Sequence, residues 1–206
     1  MSKPETHAGL PILAFADAAA WEAWLARQPA GAPGIWLKFA KASASVPSVS
    51  KAEAIDGALC HGWIDGQLYP WDEHWWLTRF TPRKARSKWS EKNRVRAGEL
   101  IAAGRMKAAG HAEIEAAKAD GRWDAAYASQ GSIALPDDLA AALDAEPGAR
   151  AFFDSLESAN RYAILYRVHE AKKPQTRAAR IAKFTGMCVR GERVHPKVEK
   201  PAKRSG

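Results

Sequence analysis

The chain has 206 residues, 47% of them hydrophobic and 26% charged, with a formal net charge of +8 and two cysteines. A chain of this length and apolar content buries a core without staples, so Cys60 and Cys188, far apart and outside any CxxC or Cys/His spacing, are expected as reduced, partly buried thiols. No stretch approaches the ~18 consecutive apolar residues of a membrane span, and "MSKPETHAGLPILAFADAAAW" lacks the form of a secretion signal, which makes the cytoplasm the expected compartment.

Residues 1–9 are expected to be disordered, and residues 10–130 to form an α+β domain built on a small antiparallel β-sheet. Asp17 is the predicted N-cap of a short helix in which Trp21, Trp24 and Leu25 recur at helical spacing, ending near Pro29–Gly34. "GIWLKFAK" alternates, with Ile35, Leu37 and Phe39 on one side and Trp36 and Lys38 on the other, which predicts a strand. After the Ser/Pro-rich "ASASVPSVS", Ser50 and Glu53 make a capping box. It starts a helix over residues 51–61 whose apolar face is Ala54, Ile55, Ala58 and Leu59, and Gly62 stops it.

"WIDGQLY" and "HWWLTRF", joined by "PWDE", read as a hairpin. Pairing Tyr69 with His74 sets Gln67 opposite Trp76, Asp65 opposite Thr78 and Trp63 opposite Phe80, so all eight project from one face. This mixed aromatic and polar face reads as the wall of a site. The opposite face, Ile64, Leu68, Trp75 and Leu77 with Arg79 at its end, reads as core. A helix is predicted from Ser87 or Ser90, with Trp89, Asn93, Ala97, Leu100, Ile101 and Gly104 on its apolar stripe and Glu91, Lys92 and Arg94 turned to water.

Beyond it the chain reads as predominantly helical. A helix broken by Gly121 is followed by a helical C-terminal region over residues 131–192, expected to pack on the first domain, and by a basic disordered tail over 193–206. Pro136 and Pro174 suit first-turn positions, and Gly191 suits a C-terminal stop. In the last long helix Arg177 shares a stripe with Ile181, Phe184 and Cys188, as a cation on an otherwise apolar face.

The positive charge is local. Residues 79–96 hold eight basic side chains against Glu91 alone, and residues 193–206 hold five against Glu199. Such patches attract anions, phosphates or nucleic acid.

Seven segments in order, "ALCHGWIDG", "RFTPRKARSKWSEKN", "GRM", "AKADGRW", "PDDLAAAL", "ARAFFDSLESANRYAILYRV" and "AKKPQTRAARI", resemble the YdeI/OmpD-associated family, also labelled bacteriocin-protection proteins. The resemblance covers residues 10–190, with His61 standing where the family form has Phe. It implies a stress- or resistance-associated role connected with antimicrobial peptides and an outer-membrane porin, and it carries over no reaction, cofactor or catalytic residue.

Three functional readings follow. In the first, an aromatic, Arg-lined cleft binds a small anionic ligand or a peptide, with Trp63, Asp65, Trp76 and Trp89 as walls and anchor. Arg79 and Arg83 would contact the anion, Asn93 would supply a positioning amide, and Arg161 and Arg177 would close the cleft. In the second, the 79–96 patch binds nucleic acid through Arg79, Arg83, Lys84, Arg86 and Lys88, with Phe80 and Trp89 stacking on bases. In the third, Asp65 or His74 serves an enzyme site; with His61 they are also the nearest approach to a metal set, although no metal-binding spacing is present. Hydrogen-bonded structural roles are the plainer expectation for these three residues. No phosphate loop or dinucleotide fingerprint is present, so no cofactor is expected. Oligomeric state is not legible in the sequence.

Overall fold

The computed structural model describes residues 5–128 and 131–196. It divides into two compact units, Met1–Ala126 and Tyr127–Gly206. The first is α+β and the second is helical.

In the first unit the elements run β1 (Thr6–His7), β2 (Leu10–Ala14), α1 (Ala18–Leu25), β3 (Ile35–Ala40), α2 (Lys51–Cys60), β4 (Trp63–Pro70), β5 (Trp75–Pro82), α3 (Glu91–Ala102) and α4 (Ala108–Ala119). The strands form one sheet in the order β1-β2-β3-β5-β4. It is mixed rather than antiparallel throughout, because β2 and β3 run parallel with α1 between them, the crossover a parallel pair requires. Part of the segment expected to be disordered is β1, which pairs with β2 through Thr6–Pro11 and His7–Leu10; residues 1–4 lie outside the described residues.

Local signals place the helices that cover the sheet. Asp17 caps α1 by accepting the Ala20 N–H at 2.8 Å, and Ser50 and Glu53 form both bonds of the capping box that starts α2. Trp21 and Leu25 of α1 and Ala54 and Ala58 of α2 then bury against Ile35, Leu37, Phe39, Trp63 and Phe80 of the sheet. Trp21 is fully buried, and its indole N–H donates to the Ala54 carbonyl at 3.0 Å, tying α1 to α2.

The hairpin differs from its expected register. Asp72 accepts the backbone N–H groups of His74 and Trp75, both at 2.8 Å, and so holds a turn beyond Pro70. Pairing starts at Pro70–Trp76, continues through Tyr69–Leu77 and Leu68–Thr78, slips at a bulge between Asp65 and Leu68, and resumes as Asp65–Phe80 and Trp63–Pro82. Trp63, Asp65, Trp76, Thr78 and Phe80 still share a face, but it is the face covered by α1 and α2. Tyr69 instead pairs with Leu77 and joins the opposite face. That face carries a smaller cluster of Ile12, Trp36 and Leu77, and Arg79 stands opposite Trp36. The expected assignment of core and site faces is therefore reversed.

Ser90 caps α3 by accepting the Asn93 N–H at 3.1 Å. Trp89, Ala97 and Leu100 bury against Leu59, Cys60, Met106, Ile114 and Ala117. Ile101, at 38% exposure, lies outside this stripe, and Arg94 is half-buried with its guanidinium on the Trp123 carbonyl at 3.2 Å. An ion network crosses the first unit. Asp56 of α2 accepts from Arg96 of α3 at 2.7 and 2.5 Å and from Arg105 at 3.4 Å, and Arg105 reaches Glu22 of α1 at 2.7 Å.

The second unit contains α5 (Asp137–Ala145), α6 (Ala149–Ser155), α7 (Ser158–His169) and α8 (Pro174–Val189). Its core is Leu139, Leu143, Phe153, Leu156, Ile164, Leu165, Val168, Phe184 and Cys188, with Val194 packed against it. Pro174 occupies the first turn of α8, whereas Pro136 is the N-cap of α5. Both cysteines are buried free thiols. Of the expected tail, residues 197–206 lie outside the described residues.

Candidate functional site

The first unit carries an open cleft of about 630 Å³ along β4 and the end of β5. Its floor and one side come from Ile64, Asp65, Gly66 and Gln67 of β4, and its other side from Arg79, Thr81, Pro82, Arg83 and Lys84. Residues 30–33 close one end. The register explains the grouping: Ile64 pairs with Thr81, so both project from the face that bears Arg79, and the bulge takes Gly66 and Gln67 out of the ladder. Gly34, at φ +98°, lets the 30–33 loop approach. A Cβ there would stand 2.6 Å from both the Phe80 carbonyl oxygen and Thr81 Cγ2.

The electrostatics of the cleft are one-sided. Arg79, Arg83 and Lys84 line it, and the one carboxylate among the lining residues, Asp65, lies 3.1 Å from the Lys51 ammonium. Arg79 Nε is buried without a hydrogen-bond acceptor. Arg83 is 6% exposed; its guanidinium stacks 3.6 Å from the centre of the Trp89 ring and donates to the Lys88 carbonyl at 3.3 Å. Lys84 is exposed.

Of the residues expected to build the site, Asp65, Arg79 and Arg83 line this cleft. Trp63 does not: it is 4% exposed, set edge-on to Trp24 at 5.6 Å, within the core. Trp76 stacks on Phe39 at 4.6 Å on that same covered face. Trp89 is 1% exposed and serves as the platform beneath Arg83. Asn93 is half-buried in the first turn of α3. Arg161 and Arg177 belong to the second unit. There Arg161 lines a small cavity with Asp154 and Tyr162, and Arg177 makes a two-bond fork to Asp138 at 2.5 and 2.8 Å. A groove of about 800 Å³ between α5 and α8 also lies in this unit. Four of its thirteen lining residues are alanines, and its Arg177 is already bonded to Asp138.

The residues weighed for catalysis or metal binding have separate partners. Asp65 pairs with Lys51. His74 is exposed, with Nε2 3.0 Å from Glu73. His61 caps the C-terminus of α2, and burial pushes its imidazole below the ordinary histidine value. Among the described residues no three His, Cys, Asp or Glu side chains are placed to hold a metal ion. The basic 79–96 run is likewise divided, since Arg94 and Arg96 are turned to internal acceptors while Lys84, Arg86, Lys88 and Lys92 are exposed.

Sequence reasoning missed Lys51. It is the first residue of α2, and its ammonium lies 3.1 Å from Asp65 Oδ2 and 3.1 Å from Thr78 Oγ1. The rings of Phe39, Trp76 and Phe80 stand 5.9, 5.9 and 5.2 Å away. Burial pulls this amine below the usual lysine value, and Asp65 opposes the shift without cancelling it. No local pattern marks the residue after an N-cap for such a place; only the packing of α2 on the sheet brings it there.

Two family models match the chain. Residues 13–113, which include most of the first unit and its cleft, match a domain of unknown function, DUF8412. Residues 132–191, within the second unit, match the family described as bacteriocin-protection, YdeI or OmpD-associated. The resemblance read over residues 10–190 is thus carried by the C-terminal segments, the segments before residue 113 match the separate domain model, and "AKADGRW" at 117–123 falls in neither. No curated protein and no solved structure matches. Among the described residues no helix is long and apolar enough to cross a membrane.

Proposed function

Because residues 132–191 give the chain a domain of the bacteriocin-protection, YdeI or OmpD-associated family, we propose that it is a resistance-associated protein that binds a small anion or an acidic group of a peptide in the cleft of its first unit. The observation that carries this reading is the unbalanced charge of the cleft. Arg79 and Lys84 line it, its one carboxylate is held by Lys51, and Arg79 Nε is buried without an acceptor. Buried donors are ordinarily satisfied, and a carboxylate or phosphate oxygen supplies what this one lacks. The volume, about 630 Å³, suits a small-molecule ligand.

Calorimetric titration with inorganic phosphate and with citrate, at low and moderate salt, tests the reading. Saturable binding that Arg79→Gln weakens about tenfold is expected, the loss of a charge-assisted hydrogen bond amounting to roughly 1.5–3 kcal/mol. An Arg79→Gln protein that binds as tightly as the wild type refutes it. A nucleic-acid reading has the exposed Lys84, Arg86, Lys88 and Lys92 in its favour. It predicts binding of short single-stranded DNA that falls steeply with salt.

A further inference from the structure

We propose that Lys51 is a nucleophilic amine that condenses with a small aldehyde or ketone. The inference rests on the arrangement around its nitrogen and does not depend on an anion occupying the cleft, although Asp65 is common to both. Thr78 and Arg79 are consecutive on β5 and face opposite sides of the sheet, so the Lys51 nitrogen lies on the helix-covered side and the Arg79 side chain of the cleft on the other.

Three features combine at Lys51. Its side chain is 30% exposed, so the nitrogen remains reachable, yet its packing between α2 and the sheet removes much of the water that would stabilise its ammonium. It opens α2, where the positive end of the helix dipole disfavours a further cation. A carboxylate, Asp65, stands at hydrogen-bond distance to take the proton that the ammonium must lose, while Thr78 Oγ1 holds the nitrogen in place. A desolvated lysine beside a proton acceptor is the form in which amines attack carbonyl carbons. The lowered affinity of this amine for its proton agrees with the geometry.

The step balances without any further reactant. Asp65 accepts a proton from the ammonium, and the free amine forms a C–N bond to the carbonyl carbon. The carbonyl oxygen takes up the proton from Asp65, giving a carbinolamine. The C–O bond then breaks, the oxygen departs as water with the second nitrogen proton, and a protonated imine to Lys51, carrying the third, remains. The half-buried Trp76 beside the amine favours a carbonyl compound with an apolar or aromatic body.

The test uses the full chain with benzaldehyde and butanal as probes at pH 7, trapping with sodium cyanoborohydride and locating adducts by peptide mass spectrometry. Lys51 is expected to be labelled on the order of tenfold faster than exposed lysines such as Lys84 and Lys92. Asp65→Asn is expected to slow the labelling of Lys51 and leave that of the other lysines unchanged, whereas a lysine that is merely accessible would label no more slowly without its carboxylate. Lys51 labelling at or below the rate of Lys84 and Lys92 overturns the proposal. The wild-type comparison decides this even if a variant fails to fold.

Discussion

Replacing Asp56 by Asn removes the hub that joins α1, α2 and α3. Asp56 is 8% exposed and accepts two charge-assisted bonds from Arg96 at 2.7 and 2.5 Å and a longer one from Arg105 at 3.4 Å. Bonds to charged groups contribute roughly 1.5–3 kcal/mol each when buried. The Arg96 and Arg105 side chains are 42% and 40% exposed, however, and Asn keeps one acceptor oxygen. The expected loss is therefore about 2 kcal/mol, below the roughly 3–5 of a fully buried broken pair.

Urea unfolding followed by Trp fluorescence reads this loss, since all nine tryptophans lie between Trp21 and Trp123 in the first unit. The bond from Arg96 holds the Asp56 carboxyl below the ordinary aspartate value. Its contribution to stability is thus fully present above the unfolded-state value, about 3.9, and is lost as pH falls through the lower folded-state value. The gap between wild type and Asp56→Asn should be constant near neutrality and shrink in acid. A loss below about 0.5 kcal/mol, the usual size for a surface change, or a gap that persists undiminished into strong acid, would refute the reasoning.

Other expectations rest on separate parts of the fold. Gly110→Ala places a Cβ 2.4 Å from Met106 Sδ, 2.5 Å from the Cys60 carbonyl oxygen and 2.7 Å from that of Leu59. Two of these neighbours are backbone, so chemical denaturation should show a loss of roughly 1–3 kcal/mol or more. Leu143→Ala in the fully buried core of the second unit should cost about 2–5 kcal/mol, read by loss of far-UV circular dichroism on heating. The Arg177 fork holds the Asp138 carboxyl below its ordinary range. An NMR titration should show that carboxyl titrating at higher pH in Arg177→Met.

What the sequence made legible was local. The Asp17 cap, the Ser50/Glu53 box and the alternating faces of β3 each follow from a few adjacent residues, and each forms as the pattern requires. The hairpin could not be read in the same way. Its register depends on how Asp72 shapes the turn and on a bulge at Gly66 and Gln67, each of which displaces a period-two pattern.

The reversal of its faces has a further cause. Asp65 and Thr78 looked too polar for a covered face, but Lys51 arrives from α2 to satisfy both. The short, Pro-containing β2 gave too little alternation to be recognised beside β3. Arg79 and Arg83 were legible as cleft residues from their place in the basic run, whereas the 30–33 loop that completes the cleft was not, because its approach depends on Gly34 closing against β5.

The central claim, an anion held in the cleft of the first unit, is tested most directly by recording backbone amide NMR spectra during a phosphate titration. Saturable shifts confined to residues 30–34, 64–67 and 79–84 are the predicted result. Shifts spread over the exposed Arg86, Lys88 and Lys92 that fade with added salt, or none in the cleft at all, would contradict it.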